Sequence, residues 1–338
     1  AEIYHFDGTT WRTMPAPAVP LLVWVFGFGP DDVYAVGVGG GFAHYDGTDW
    51  TALDSGTTED LWGIWGTAPN DLWIVGGTVG EGAPILMHFD GQTLTPDAVP
   101  ENDLGATSLF KVWGIGGKVI AVGANGLIIE RVNGAWQQVI AGPAGNEDFV
   151  SLWGTSADNI VVVGGRTNAQ IARFDGTEWS AFKPIGTPGL NGCFMDDPAM
   201  AVIGGGVGYV GRYDPNTEEP VREEAPAQDD IHAVWGDGAG RYYAVGGQFR
   251  PPFRGVALVR TPADATAGTG AGRPIPLAGE CTVDGDCADG SACTDDRCVD
   301  GGCVFDPIVC DDGDACTVDQ CVGGACTFSA VDCDDGNA

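Results

Sequence analysis

One pattern recurs along the chain at a period of about 40 residues, and it restricts the fold more than any other feature. Each copy has an apolar segment ending near "WG", a polar turn, and a second apolar segment that ends in glycine, as in "IWGTAPNDLWIVG" at residues 64–76. The closing glycines are spaced 39, 47, 41, 40 and 42 residues apart, at Gly37, Gly76, Gly123, Gly164, Gly204 and Gly246. A fixed period of this length is typical of repeat architectures.

The second half of each period is another pair of β-rich runs around a turn. The copies are "IYHFDGTTW", "AHYDGTDW", "LMHFDGQTL", "IERVNGAW", "IARFDGTEW" and "VGRYDPNTE". An Asp-Gly or Asn-Gly pair between two such runs predicts a hairpin. Two hairpins per period make a four-stranded antiparallel unit. Several such units bury their faces only when they pack radially, so the sequence predicts an all-β fold, a β-propeller.

The recurring tryptophans and glycine pairs resemble those of a known family. A Trp follows the turn at Trp11, Trp50, Trp136 and Trp179, and a Gly-Gly pair closes the second strand at 76–77, 164–165, 204–205 and 246–247. This arrangement resembles the kelch or galactose-oxidase-like pattern of bacterial β-propellers over residues 1–262. The tight "DGT" turn is similar to the Asp-box hairpins of other propellers.

The number of blades depends on how the two ends of the repeat region pair. Residues 1–15 hold only the second half of a unit, whereas residues 232–262 hold the first hairpin and one further strand, "GVALVRTP". We expect residues 9–15 to pair beside residues 256–260 and complete the last blade, which gives six blades. Because "IYHF" and "VALVR" are both third-strand segments, a seven-bladed ring with further upstream sequence is the alternative.

Composition divides the chain into three parts. Residues 1–262 form the predicted propeller, and residues 263–280, rich in Pro, Gly and Ala, form a linker. Residues 281–338 form a cysteine-rich tail of little predicted regular structure. In it "C-x5-C-x4-C-x4-C-x6" occurs twice, at 287–309 and 310–332, and "CDDGNA" opens a third, truncated 23-residue repeat.

The tail cysteines predict disulfides rather than a metal site. No C-x-x-C pair suits zinc and no C-x-x-C-H suits haem. Disulfides place the chain in an oxidising compartment. Spacing leaves the connectivity open for Cys281, Cys287, Cys293, Cys298, Cys303, Cys310, Cys316, Cys321, Cys326 and Cys333.

The segments "CTDDRC" and "CTVDQC" resemble the C-T-x-D-x-C repeats of slime-mould extracellular matrix proteins and similar arrays in secreted bacterial proteins. That resemblance covers only the tail. It implies a stiff, disulfide-stapled stalk or matrix element.

Acidic residues in the tail raise the question of calcium, a cation that prefers oxygen ligands. No stretch fits D-x-[DN]-x-[DN]-G with a distal Glu. Two interpretations stay open: Asx turns between disulfides, or a bound Ca²⁺. The candidate ligands are Asp284, Asp286, Asp289, Asp311, Asp312 and Asp314.

No residue set in the propeller predicts catalysis or a cofactor site. A basic residue precedes the turn in successive copies, at His5, His44, His88, Arg131, Arg173, Arg212 and Arg260, and it predicts a hydrogen bond to a carbonyl or to the turn Asp. The turn aspartates predict hairpin formation, at Asp7, Asp46, Asp90, Asp175 and Asp214. Cys193 replaces an apolar strand residue, which predicts a buried, inert thiol. No G-x-S-x-G, H-E-x-x-H or P-loop is present.

Charge narrows the class of partner. The chain has 15 basic and 47 acidic residues and a formal net charge of −32. Its field repels phosphate backbones and anionic lipid, which excludes nucleic acid and acidic membrane surfaces. The sequence has no apolar run of transmembrane length, and residues 1–11 lack signal-peptide features, so we expect an exported protein whose signal has been removed.

Three functions fit these features. The first is a secreted or cell-surface structural and adhesive protein, a propeller head on a disulfide stalk and a subunit of an extracellular fibre, whose partners are itself, matrix or polysaccharide. The second is a glycan-binding lectin with aromatics at Trp62, Trp73, Phe249 and Phe253. The third is a propeller hydrolase or lyase. Apolar patches on opposite faces favour assembly, a row of equivalent exposed aromatics favours the lectin, and one odd acidic or His residue at the channel favours the enzyme.

Overall fold

The chain is all-β and is built from six four-stranded antiparallel sheets, which confirms the predicted six-bladed propeller. The structure, a computed structural model, describes residues 3–6, 11–142, 147–217, 219–223, 228–248, 254–261, 273–274, 284, 294–299, 302–307, 310, 317–322 and 325–330. No helix within these ranges is long and apolar enough to cross a membrane.

A two-stranded hairpin precedes the blades, and its strands are β1 (Ile3–Phe6) and β2 (Trp11–Met14). Blade 1 holds β3 (Leu22–Gly29), β4 (Asp32–Gly37), β5 (Gly41–Tyr45) and β6 (Trp50–Ala52). Blade 2 holds β7 (Leu61–Ala68), β8 (Asp71–Gly76), β9 (Ile85–Phe89) and β10 (Leu94–Pro96). Blade 3 holds β11 (Leu109–Ile115), β12 (Lys118–Gly123), β13 (Ile128–Val132) and β14 (Ala135–Val139).

The remaining blades repeat the order. Blade 4 holds β15 (Phe149–Ser156), β16 (Asn159–Gly164), β17 (Gln170–Phe174) and β18 (Trp179–Phe182). Blade 5 holds β19 (Leu190–Asp197), β20 (Met200–Gly205), β21 (Tyr209–Tyr213) and β22 (Val221–Glu223). Blade 6 holds β23 (Ile231–Gly236), β24 (Tyr242–Gln248), β25 (Arg254–Arg260) and β26 (Arg273–Pro274). Two 3₁₀ turns, Val38–Gly40 and Ala124–Gly126, join second and third strands.

Each blade pairs its strands in chain order, and the "WG" strand is the first. First strands of consecutive blades contact one another, which places them at the centre of the propeller. The hydrophobic core consists of layers between neighbouring blades. In the layer between blades 1 and 2, for example, Val36 of β4 packs with Ile64 of β7 and Met87 of β9. A single sheet has two apolar faces, so each blade depends on its neighbours for burial.

The expectation that residues 9–15 complete the last blade is wrong. β2 pairs with β1, with Phe6 opposite Trp11, and the fourth strand of blade 6 is β26, with Pro274 opposite Leu258. The physical reason is loop length, because a hairpin across a short turn loses far less chain entropy than pairing with a strand more than 200 residues away. β26 lies in the segment that the sequence predicts as linker.

Each cysteine-rich repeat contains a hairpin in the part of the tail that the structure describes. The first pairs β27 (Thr294–Val299) with β28 (Gly302–Pro307), and the second pairs β29 (Thr317–Val322) with β30 (Ala325–Ala330). The two registers are the same after an offset of 23 residues, since Thr294 faces Pro307 and Thr317 faces Ala330. The structure therefore shows a hairpin in each of these two repeats, where the sequence predicted little regular secondary structure.

Candidate partner-binding site

The turn aspartates form hairpins, as the sequence predicts. Asp46 Oδ1 accepts hydrogen bonds from the backbone N–H groups of Thr48 and Asp49, both at 2.9 Å. The same bonds recur at Asp90 and at Asp175. At Asp175, backbone and hydroxyl donors lower the pKa of the carboxyl to about 2. A residue that holds a turn in several blades belongs to the framework. Asp7 lies outside the described residues.

The basic position before the turn has a different partner from the predicted one. His44 Nε2 lies 2.8 Å from Asp32 Oδ1, and His88 Nε2 lies 2.8 Å from Asp71 Oδ1. These two carboxylates begin the second strands of blades 1 and 2, so they are neither backbone carbonyls nor turn aspartates. The register explains the correction. His44 faces Tyr34, and Asp32 is two residues from Tyr34 on the same sheet face, which makes His44 and Asp32 diagonal neighbours.

Blade 3 carries the same pair with its charges exchanged. Lys118 Nζ lies 2.5 Å from Glu130 Oε1 at the positions of Asp32 and His44. Arg131 is therefore displaced by one residue from its predicted place, and its guanidinium lies over the Trp73 ring at 4.8 Å. The cause is the tight Asn133-Gly134 turn, in which both residues have positive φ.

The other members of this basic set also make structural contacts. His5 Nδ1 accepts a hydrogen bond from Arg12 Nε at 3.0 Å. Arg212 and Arg260 both pair with the buried Glu223, at 2.5 and 3.0 Å, and so tie blade 5 to blade 6. Recurring ion pairs within and between blades support a framework role.

The predicted calcium ligands fall mostly outside the described residues, where Asp286, Asp289, Asp311, Asp312 and Asp314 all lie. Asp284 is described, and its Oδ1 accepts a hydrogen bond from the Cys298 backbone N–H at 2.8 Å. In the described ranges no group of three or more His, Cys, Asp or Glu residues is placed to hold a metal. A Ca²⁺ site stays a prediction.

One disulfide of the tail is defined, between Cys310 and Cys326. Cys321 faces Cys326 across β29 and β30, so facing cysteines of that hairpin are not bonded to each other. Cys298 is also disulfide-bonded. Five predicted disulfide cysteines lie outside the described residues, namely Cys281, Cys287, Cys293, Cys316 and Cys333. Cys193 is a buried free thiol whose pKa is raised by burial to about 12, which makes it inert as predicted.

The aromatic residues that the lectin hypothesis needs are not assembled at a surface. Trp73 is 5 % exposed and packs in the layer between blades 2 and 3. Trp62 is half-buried, and its Nε1 donates to the Gly77 carbonyl at 2.8 Å. Phe249 and Phe253 lie outside the described residues. No sugar-stacking platform follows from this set.

A column of aromatic rings follows the inner strands and explains the "WG" repeat. The Trp153 ring centroid lies 5.4 Å from that of Trp113 and 5.0 Å from that of Phe194. The glycine after the aromatic makes room for the ring of the preceding blade. A Cβ on Gly114 would lie 2.6 Å from Trp65, and a Cβ on Gly236 would lie 2.5 Å from Phe194. Blades 3 and 6 therefore each hold a gap for the ring of the preceding blade. Blade 5 has the buried Met195 at this place, and the atoms nearest to Gly66 of blade 2 and Gly154 of blade 4 belong to their own blades.

Lys111 is a buried cation that the sequence analysis missed. It stands in β11 at the place held by Trp24 in β3, and its Nζ lies 3.2 Å from the centroid of the Trp24 ring two blades away. Burial lowers the pKa of Lys111 to about 7, and the nearby Cys193 opposes this shift. A single Lys within an apolar strand gave no signal of this contact. It is neither acidic nor His, so it does not match the feature expected for an enzyme.

The first blade exposes an apolar face. Val25 of β3 is 58 % exposed, and the adjacent Leu21 is 52 % exposed. The register identifies the residues at the place of Val25 in the other blades, and all are buried to 8 % exposure or less: Ile64, Val112, Leu152, Cys193 and Val234. Those residues are covered by the preceding blade.

The sixth blade exposes the apolar face that, in the other blades, packs against the following blade. Trp235 of β23 is 53 % exposed and Val245 of β24 is 42 % exposed. The valines at the place of Val245 in blades 1 to 4 are at 0 % exposure, namely Val36, Val75, Val122 and Val163. The series of blades thus ends in two uncovered apolar faces, which we call the end faces: the blade 1 end face with Leu21 and Val25, and the blade 6 end face with Trp235 and Val245.

A cavity of about 450 Å³ lies on the blade 1 end face. The β1–β2 hairpin contributes Ile3 and Met14 to its lining, and blade 1 contributes Val25, Val33 and Trp50. A mainly apolar cavity of this size is typical of a binding site. It is the strongest candidate site in the described part of the chain, and no motif in the sequence pointed to it.

Comparison with known proteins identifies the fold. The chain is similar to YCF48 bound to D1 peptide, with 16 % identity and a TM-score of 0.54 over 77 % of this chain and 84 % of that chain. It is similar to YCF48 from Cyanidioschyzon merolae, with 15 % identity and a TM-score of 0.54 over 71 % and 83 %. It is also similar to the WD40 β-propeller domain of Doa1, with 12 % identity and a TM-score of 0.60 over 79 % and 86 %.

No protein-family model matches the sequence, and no curated protein matches it. The structural similarities establish a propeller fold and, at these identities, nothing finer. The kelch-like pattern and the matrix-type tail repeats stay predictions.

Proposed function

We propose that this chain is a non-catalytic binding protein, a propeller head that engages a protein partner through its end faces, carried on a disulfide-stapled stalk outside the cell. The observation that carries this proposal is the exposure of Val25 and Trp235, whose equivalents in neighbouring blades are covered. Exposed apolar surface of this kind marks interaction sites.

Structural similarity supports a partner that is a polypeptide. YCF48, a propeller of related fold, has been solved bound to a D1 peptide. The contacts of the basic and acidic residues described above support the same proposal, because they recur in several blades and stabilise turns and strands. These observations favour binding over catalysis.

The extracellular part of the proposal is supported by the tail. A disulfide such as Cys310–Cys326 persists in an oxidising environment. The equal registers of the two tail hairpins fit a regular stalk, in a surface filament or adhesive structure. With a charge of −32, neighbouring units repel one another unless Ca²⁺ or salt screens them, so self-association should weaken on chelation or at low ionic strength.

The test uses the full-length oxidised protein. Binding to cell-surface and matrix proteins, and molar mass by light scattering, are measured across calcium and salt concentrations. Val25→Arg and Trp235→Arg should each reduce binding or assembly at least tenfold, since each places a charge in a desolvated contact.

The matched control is Ile185→Arg, because Ile185 is fully exposed outside both end faces and the charge change is the same. It should leave binding unchanged. A protein that stays monomeric under every condition and binds no surface contradicts the proposal.

A further inference from the structure

We propose that Asn133 is a site of spontaneous deamidation, at which the side-chain amide is lost and an aspartate or isoaspartate residue remains. The sequence has three Asn-Gly pairs, at 125–126, 133–134 and 191–192. Asparagine is most prone to this reaction before glycine, because glycine has no Cβ to hinder the attack by its own backbone nitrogen. The three pairs differ in exposure and in the contacts of the asparagine side chain, and these differences select Asn133.

The reaction joins the asparagine side chain to the following backbone nitrogen. The Gly134 nitrogen loses its proton and forms a bond to Asn133 Cγ, while the Cγ–Nδ2 bond breaks and the amide leaves as ammonia. Water then opens the cyclic succinimide that results. Cleavage of the new N–Cγ bond gives aspartate, whereas cleavage of the original peptide bond leaves the main chain running through Cγ, as isoaspartate. No atom is oxidised or reduced, and water is the co-reactant.

The side chains of Asn125 and Asn191 are held away from this reaction. Asn125 Nδ2 donates hydrogen bonds to the carbonyl oxygens of Leu104 and Gly105, at 3.0 and 3.2 Å. Asn191 lies in β19, and its Nδ2 donates a hydrogen bond to the Ile231 carbonyl oxygen at 2.9 Å. Both asparagines are half-buried. Turning either carboxamide toward the following nitrogen first breaks these hydrogen bonds, which slows the reaction.

The Asn133-Gly134 pair is open to water. Both residues are exposed, and within the described residues the Asn133 carboxamide has no hydrogen-bond partner. In the same part of the chain, no atom beyond the adjacent residues lies within 4 Å of the position that a Gly134 Cβ would take. Neither a hydrogen bond nor steric contact therefore opposes rotation of this carboxamide.

The length of the turn explains why the Asn133 side chain is free. In blade 1 the Asp46 carboxylate accepts hydrogen bonds from the N–H groups two and three residues later in a four-residue turn. Blade 3 has only Asn133 and Gly134 between its paired strands, and both have positive φ, at 52° and 84°, as a type I′ turn requires. The N–H groups two and three residues after Asn133 lie in β14, which pairs with β13.

Isoaspartate at position 133 would disturb the packing of blade 3 against blade 2. It adds a carbon atom to the main chain of a turn whose two residues have a defined conformation. Next to this turn Trp136, which is 7 % exposed, faces Arg131, and the Trp136 ring centroid lies 5.3 Å from that of Trp73 in blade 2. We therefore expect an aged sample to lose stability as position 133 is converted.

The test follows the three asparagines of the full-length oxidised protein during incubation in mildly alkaline buffer, which favours loss of the attacking nitrogen's proton. Trypsin places them in different peptides, 119–131, 132–166 and 174–212. Fragment-ion mass spectrometry measures conversion at each position, and methyl transfer by an isoaspartyl methyltransferase detects isoaspartate. Asn133 should convert at least about tenfold faster than Asn125 or Asn191. In urea the three rates should become similar, because the hydrogen bonds are lost.

Asn133→Gly is the matched variant, since glycine adopts the same positive φ and has no carboxamide. Its unfolding free energy should stay constant during the incubation, whereas that of the wild type should fall in proportion to conversion at position 133. Equal rates at the three asparagines of the folded protein, or faster conversion at Asn125 or Asn191, overturn the proposal. So does an unmodified Asn133 after a time in which a free peptide of residues 130–137 is fully converted. An equal fall in the variant overturns the inferred effect on blade packing.

Discussion

The Nζ of Lys111 lies 3.2 Å from the centre of the Trp24 ring, and this contact joins the inner strands of blades 3 and 1. The lysine is 5 % exposed, and within the described residues the Trp24 ring is the partner identified for its charge. A cation over an indole ring gains from the negative face of the ring, but less than it loses when water is removed. Burial of the Lys111 charge therefore makes the stability of the propeller depend on pH.

Replacing Lys111 by Met should remove a pH dependence of folding. The pKa is about 7 in the folded protein and 10.5 in its ordinary state, so the unfolded chain binds more protons between these values. The free energy of unfolding of the wild type should accordingly rise with pH above 7, by a slope approaching roughly 1.4 kcal/mol per pH unit. Below pH 7 both states carry the proton and the slope should vanish.

Urea unfolding followed by tryptophan fluorescence between pH 6 and about 7.5 measures the onset of this slope, below the range in which an unfolded cysteine thiol titrates. Lys183→Met is the control, because Lys183 is 40 % exposed. It should keep the slope of the wild type. If the free energy of unfolding changed with pH in the same way for Lys111→Met and the wild type, the Lys111 charge would be solvated in the folded protein.

Replacing Gly114 by Ala should destabilise the packing of blade 2 against blade 3. The added methyl would lie 2.5 Å from the Lys118 carbonyl oxygen and 2.6 Å from the Trp65 ring. The expected loss is about 1–3 kcal/mol of unfolding free energy, by overpacking. Gly206→Ala is the matched control, since its nearest atom would be 3.6 Å away, and it should change stability by less than about 0.5 kcal/mol. Equal effects of the two variants would contradict the ring-and-gap account of the "WG" repeat.

The fold was predictable because its signals are local and repeated. A turn such as Asp46-Gly47 predicts its hairpin from a few neighbouring residues. The recurrence of the pattern in six approximate copies supports the same prediction for every blade. Contacts between distant segments gave no such signal. The pairing of Leu258 with Pro274, the Lys111–Trp24 contact and the cavity beside Val25 each depend on where whole blades lie in space. The position of Arg131 was also not predicted, because the Asn133-Gly134 turn begins one residue later relative to the facing strand pair than the Asp46-Gly47 turn does.

The charge-exchanged pair in blade 3 allows a test of the ion pair itself. Lys118 and Glu130 are each 17 % exposed, and Lys118 also lies over the Phe174 ring at 4.3 Å. Lys118→Glu should lower the unfolding free energy by about 1–2 kcal/mol because two carboxylates would then face each other. Adding Glu130→Lys should restore most of the loss, since blades 1 and 2 carry the acid on the second strand and the base on the third.

The double-mutant cycle isolates the coupling energy between the two positions. Recovery should be incomplete because a glutamate at position 118 cannot replace the contact of the ammonium with the Phe174 ring. If the double variant is no more stable than Lys118→Glu alone, the pair does not contribute through charge complementarity.

Reduction should unfold the tail and leave the propeller intact. The Cys310–Cys326 bond closes a loop with a sequence separation of 16, and a loop of this size contributes on the order of 3 kcal/mol. The tail sequence has too few large apolar residues, Val304, Phe305 and Phe328 among them, for burial to replace that contribution. The blades are held by apolar layers, and their free thiol Cys193 is already reduced.

Limited proteolysis with and without reductant, read by mass spectrometry, checks this expectation. Cleavage within 281–338 should increase on reduction, while fragments covering blades 1 to 6 stay resistant. All 11 tryptophans lie before residue 236, so fluorescence reports the propeller alone and should stay unchanged. Loss of protection in both regions at the same reductant concentration would show that the blades depend on the disulfides of the tail, and the boundary between head and stalk would then be wrong.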